Sequence, residues 1–265
     1  MKKSLLLAAL SLSVVMPAMA GNVAQDMEKK EMDGGVVAAS DMVLEQPKWG
    51  YFGSLGAARW GGLDPAYTAC GEGQAQSPIN INKFKRAGLP ALAFGYGERP
   101  LTVLNTGYGV RLDASGAGVF SAGDADYRLH HVSFHTPSEH YIDGAPYPME
   151  AQFEHVSDTG GLAIVSVMLK IGAHNPVVEG IWQNVPKAGM QKVVEGVVVN
   201  PADLLPEALG YYAYEGSLSV PPCSEGVKRY VMKTPIELSE KQLRAFQSVF
   251  AVNARPVQPI NGREV

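Results

Sequence analysis

Five of the six histidines, His130, His131, His135, His140 and His155, crowd into residues 130–155, together with Glu139, Glu150 and Glu154. Imidazoles and carboxylates are the side chains that hold first-row metals and move protons near neutral pH. Spacing limits what they can do together. On a strand, residues i and i+2 share a face while i and i+1 oppose each other. His131, Ser133 and His135 therefore share a face, and His130 should look the other way. Residues four apart on a strand lie about 13 Å apart at the Cα atoms, so His131 and His135 reach one ion only across a bulge. Gln152 and Glu154 share a face in the same manner. A serine hydroxyl and an amide oxygen are poor partners for zinc beside imidazole or thiolate. If a metal is held, it would draw on His135, His131 and Glu154.

The elements around these residues read as short strands. Apolar runs such as Leu101–Leu104, Gly109–Leu112, Leu162–Leu169 and Tyr230–Met232 are broken by Gly, Pro, Asn and Asp, the pattern of a β-dominated domain. Helical spacing is rare. Ser239–Phe250 is the better candidate, with Ser239 placed to cap it and Leu243, Phe246 and Phe250 recurring at helical intervals. Pro186–Val199 is a weaker one.

The ends frame this domain. Residues 1–20 read as a secretory signal peptide: Lys2 and Lys3, an apolar run from Leu5 to Val15, then Ala18-Met-Ala20 before Gly21. That run is too short for a membrane span, and no later stretch is long enough. Residues 21–47 read as a polar, flexible leader, in which Met27, Met32 and Met42 are bystanders rather than soft-metal ligands. Residues 48–265 form the domain. Without Lys2 and Lys3 the 22 basic residues fall to 20 against 26 acidic ones, a net charge of −6, which argues against a nucleic-acid partner. The expected location is periplasmic or secreted. There the two cysteines, Cys70 and Cys223, should form a disulfide, and so long a loop contributes about 4–5 kcal/mol in the chain-entropy description.

Six ordered blocks resemble the α-carbonic anhydrase family. They are Trp49-Gly-Tyr51 with Trp60, Gln76-Ser-Pro-Ile-Asn-Ile81, His135-Thr-Pro-Ser-Glu-His140, Pro148-Met-Glu-Ala151, Gly216–Val227 and Asn253-Ala-Arg-Pro-Val-Gln258. The cysteines also fall where bacterial members place their disulfide. The resemblance implies an α+β fold dominated by a large, central, mostly antiparallel twisted sheet of about ten strands with peripheral helices. It also implies a cone with zinc at its base, held by two histidines of one strand and one of the next. The fourth position would carry water, whose pKa the metal lowers to about 7.

The chain departs from that pattern at the ligands. Where the family reads QFHFH, this chain has Ser133 in place of the first zinc histidine and keeps the second as His135. Where the family reads PMEAHLVH, the third histidine is Gln152. The threonine that orients the zinc-bound hydroxide becomes Ser219, and its partner acid survives as Glu139. Tyr108 stands at the proton-shuttle position, and a phenol with a pKa near 10 shuttles poorly at neutral pH. The resemblance places His131, Glu150, Glu154, Leu218, Val220 and Arg229 around the pocket. Glu154 replaces a valine and Arg229 a tryptophan, and the two are expected to form a salt bridge, because a lone buried charge costs several kcal/mol.

The leading reading is an exported carbonic-anhydrase-related protein without carbon dioxide hydratase activity and without a cofactor. It would bind a small polar or anionic ligand, with Arg229 and His135 as donors, or a protein partner. One alternative is an active zinc carbonic anhydrase with unusual ligation. Another is a metal-handling protein with relocated ligands.

Overall fold

Strict alternation builds the centre of the molecule. In Ala125–His135 the side chains of Val132 and Phe134 are buried on one face, while Ser133 and His135 sit on the other. The neighbouring Met149–Val156 repeats the division, with Ala151 and Phe153 on the core face and Gln152 and Glu154 opposite. One face is thus reserved for packing and the other for polar side chains.

The computed structural model describes residues 48–250 and 252–265, so the proposed signal peptide and leader lie outside the described residues. The strands are β1 (Asn80–Ile81), β2 (Leu92–Tyr96), β3 (Arg99–Asn105), β4 (Val110–Asp113), β5 (Gly118–Ala122), β6 (Ala125–His135) and β7 (Tyr141–Ile142). They continue with β8 (Ala145–Pro146), β9 (Met149–Val156), β10 (Leu162–Ile171), β11 (Gln191–Val199), β12 (Tyr211–Ser217), β13 (Glu225–Met232) and β14 (Ile236–Leu238). Eleven form one large sheet with the order β11-β3-β4-β6-β9-β10-β13-β12. Off this path β5 pairs with β6 and β2, and β14 pairs with β10; β1, β7 and β8 make a small second sheet. The large sheet is mixed, because β10 runs parallel to both β13 and β14.

Two helices cover the core face. Pro176–Trp182 is capped by Asn175, whose side chain accepts from Val177 and Val178 N–H. Glu240–Gln247 starts at Ser239, which exchanges capping bonds with Gln242, so two of the orphan donors of its first turn are satisfied. Trp182 joins both helices to the sheet, its ring lying 4.9 Å from Phe134 and 4.9 Å from Phe246. The weaker helix candidate is corrected: Gln191–Val199 is strand β11, paired to β3 with a register shift between Val193 and Val198. Its five valines are stiff β-branched residues that fit a pleated edge better than a helix.

Candidate functional site

The polar face of β6 and β9 forms the floor of a cavity of about 340 Å³. Trp49, Tyr51 and Tyr108 make an aromatic wall, with Trp49 and Tyr108 stacked at 5.1 Å. Ile164, Leu218 and Val220 make an apolar wall, and Arg111, His131, Ser133, His135, Gln152 and Glu154 supply polar atoms.

Ser133 and Gln152 are direct cross-strand partners, so the two positions that the resemblance gives to the first and third zinc histidines face each other. The Ser133 hydroxyl lies 3.2 Å from His135 Nε2. His135 Nδ1 donates to the Asn253 carbonyl at 2.8 Å, which fixes the proton on that nitrogen and leaves Nε2 to accept from Ser133. Asn253 also accepts from Thr136 N–H and donates to the Phe134 carbonyl, tying the C-terminal segment to β6. Gly109 permits this approach: a Cβ there would stand 2.7 Å from Asn253 Nδ2.

Gln152 is committed beneath the floor. Its Nε2 donates to Glu139 Oε2 at 2.7 Å and to Glu150 Oε1 at 2.9 Å, and its Oε1 accepts from Arg229 Nη1 at 3.1 Å. Two carboxylates on one side and a guanidinium on the other fix the amide's orientation. Arg229 is fully buried and also donates through Nε and Nη2 to the Ser217 carbonyl. Burial alone would raise the Glu150 carboxyl, but its attraction to His140 and its hydrogen bonds to that residue hold it down to about 2. Those bonds come from His140 Nδ1 and the backbone N–H of His140, with Glu139 N–H adding another. His140 passes the chain on to Tyr214, and Tyr214 to Ser77.

Three expectations are corrected here. Glu150 and Arg229 do not line the cavity; they lie buried behind Gln152. No ion pair joins Glu154 to Arg229: Arg229 turns inward to Ser217 and Gln152, while Glu154 lies 3.9 Å from His131 Nε2. Ser219 makes no hydrogen bond to Glu139 among the described residues. That acid is occupied by Gln152 and by Arg255 N–H at 2.9 Å.

One residue that spacing did not single out completes the cavity lining, and a further expectation, for His130, is corrected. Arg111 supplies the cavity's guanidinium, on β4 directly opposite Ser133. The alternation Val110-Arg111-Leu112, with both neighbours buried, carried that signal. His130 does not look away from His131. Between Leu129 and His131 the β6–β9 register shifts by one residue, and the two rings meet with Nδ1 atoms 3.2 Å apart. Burial and the nearby Arg111 and His130 push the His131 pKa well below the usual imidazole value. Cys70 and Cys223 form a disulfide, packed against Trp60.

Comparison with known proteins agrees with this architecture. Residues 55–265 match the family model for eukaryotic-type carbonic anhydrases. A carbonic anhydrase of Pectobacterium atrosepticum is 35% identical over 227 residues, 85% of this chain and 91% of that protein. The α-carbonic anhydrase of Thermovibrio ammonificans, solved with the inhibitor sulfanilamide, superposes with a TM-score of 0.75 at 38% identity, covering 82% of this chain and 97% of that one. A dioscorin solved with ascorbate gives a TM-score of 0.75 at 31% identity, covering 82% and 96%. With this sheet, this cavity and these relatives, the chain belongs to the α-carbonic anhydrase family.

Proposed function

We propose that this protein keeps the α-carbonic anhydrase fold as a binding pocket for a small anion and does not hydrate carbon dioxide. The observation that carries the reading is the closed Glu139/Glu150–Gln152–Arg229 network at the position of the third zinc histidine. The family's zinc does not fit the residues at its three positions. Ser133 offers a neutral hydroxyl, and both polar atoms of the Gln152 amide are already engaged below the floor. Only His135 remains as a strong donor, and one imidazole does not hold a tetrahedral ion.

Several features favour an anion instead. Arg111 brings a permanent positive charge to the wall, and no hydrogen bond occupies its guanidinium among the described residues. A planar guanidinium matches a carboxylate. The dioscorin relative was solved with ascorbate, a small hydroxylated anion. The signal-like N-terminus supports export to a periplasm or beyond the cell. No helix of the described residues is long and apolar enough to cross a membrane.

The decisive test is stopped-flow carbon dioxide hydration by zinc-supplemented protein. The expected rate equals that of a protein blank, and turnover above it overturns the reading. In parallel, titration with ascorbate should show binding that Arg111→Ala weakens by about tenfold or more, the loss of one charge-assisted contact.

A further inference from the structure

The bulge in β6 brings together donors that a regular strand would separate. Leu129 pairs with His155, but the next partners are His131 and Glu154, so His130 is an extra residue with no partner on β9. A bulge of this kind re-aims a side chain. Here it turns the His130 ring toward His131, with Nδ1 atoms 3.2 Å apart. Two nitrogens bound to one tetrahedral ion at 2.0–2.1 Å lie roughly 3.3–3.4 Å apart. The two Nδ1 atoms, which here share a hydrogen bond, are thus at the separation one ion would impose.

Glu154 completes the group. It sits directly across β9 from His131, with Oε2 3.9 Å from His131 Nε2. Its carboxylate has no hydrogen bond among the described residues, so it is free to act as a ligand. One donor atom from each of His130, His131 and Glu154 lies within 4.8 Å of the other two. The 3.9 Å contact is to the His131 nitrogen on the far side of the ring from the one that meets His130, so one ion takes His131 through a single nitrogen and the Glu154 side chain, 26% exposed, swings toward it. His130 is exposed, which leaves an approach from solvent. Asp113, opposite His131 on β4, adds a negative charge against the opposing charge of Arg111.

We propose that His130, His131 and Glu154 form a binding site for a divalent first-row transition ion of the Zn²⁺ or Cu²⁺ type, on the cavity wall and separate from the family's zinc position. Two imidazoles and one carboxylate suit these ions and leave one position for water or an anion. Mg²⁺ and Ca²⁺, which prefer all-oxygen shells, should not compete. Asp113 and Arg111 tune the site without ligating.

The test is equilibrium dialysis with Zn²⁺ and with Cu²⁺, the copper form read also by electron paramagnetic resonance. Wild-type protein should take up one equivalent of ion, with coupling to two nitrogens. Loss of supporting outer partners alone costs 10–100-fold in metal affinity, so His130→Ala should weaken binding by about 100-fold or more. Its position on the surface leaves the fold intact, as an unchanged melting temperature would confirm. His135→Ala should leave uptake unchanged. No uptake by wild type, or uptake indifferent to His130→Ala, overturns the site and leaves the proposed function standing. Uptake abolished by His135→Ala instead places the ion at the family's position and overturns both.

Discussion

Arg229 and Gln152 should behave as one energetic unit, and a double-mutant cycle measures this. Arg229 is fully buried and gives one hydrogen bond to Gln152 and two to the Ser217 carbonyl. Arg229→Met keeps much of the volume but strands two buried acceptors, Gln152 Oε1 and Ser217 O. At about 1–3 kcal/mol for each stranded group, the cost is about 2–6 kcal/mol. Breaking one member of a buried charged network typically costs about 3–5 kcal/mol, which falls in the same range. For a domain of this size each kcal/mol lowers Tm by roughly 2–4 °C, so a loss near 4 kcal/mol appears as about 8–16 °C. Gln152→Leu should cost a similar amount, because it removes the acceptor of Arg229 and the shared donor of Glu139 and Glu150. In the double variant the guanidinium and the amide vanish together, and neither strands the other. Urea unfolding of the four proteins should therefore give a coupling energy above about 1 kcal/mol, the double variant losing less than the sum of the singles. Additivity within about 0.5 kcal/mol would refute the claim that Arg229 is there to satisfy Gln152.

Acid should weaken the fold from near pH 6.5 downward. Burial holds His155 neutral to about 4 against an ordinary 6.5, so its contribution is complete above 6.5 and is lost as pH falls through 4. Glu150, at about 2 against 4.5, contributes fully above 4.5 and is lost as pH falls through 2. Urea midpoints measured from pH 7 to pH 3 should fall steadily; a flat line between 6.5 and 4.5 would falsify the His155 assignment, and one between 4.5 and 3 the Glu150 assignment. Restoring the ligands with Ser133→His and Gln152→His, in a His130→Ala background, should give weak zinc binding, because Arg229 then loses its acceptor and sets a like charge behind the metal. Adding Arg229→Trp should tighten that binding by more than about tenfold, since repulsion at such range is worth a few kcal/mol. Gly109→Ala should cost about 1–3 kcal/mol through overpacking against Asn253. Its signature is a change in the His135 imidazole resonances, which a merely local loss of stability would leave unmoved.

Much of the fold was legible because it depends on short-range rules. Punctuated apolar runs marked β3, β4, β10 and β13, and Ser239 with the spacing of Leu243, Phe246 and Phe250 marked the last helix. Strand parity alone put Ser133 beside His135 on one face, and the motif blocks located Gln152 opposite them. The valine-rich stretch Gln191–Val199 was harder. It lies on an edge with several side chains exposed, so no clean alternation separated strand from helix.

The strand-dominated architecture and the cysteine pair available for bonding were legible in the residues alone, and Ser133 and Gln152 were read there as standing where the resemblance puts two imidazoles. Where the charges point depends on packing between distant segments. Arg229 and Glu154 looked like partners because their complementary charges occupy neighbouring family positions. The Ser217 carbonyl and the Gln152 amide drew Arg229 inward instead, and Glu154 was left to His131. Arg111 took over the cavity wall. The bulge that turns His130 toward His131 breaks the period of two on which any reading of a strand rests. Partner choice among buried polar groups depends on donors and acceptors brought from distant segments, and a bulge depends on how two whole strands keep register, so neither is written in local spacing.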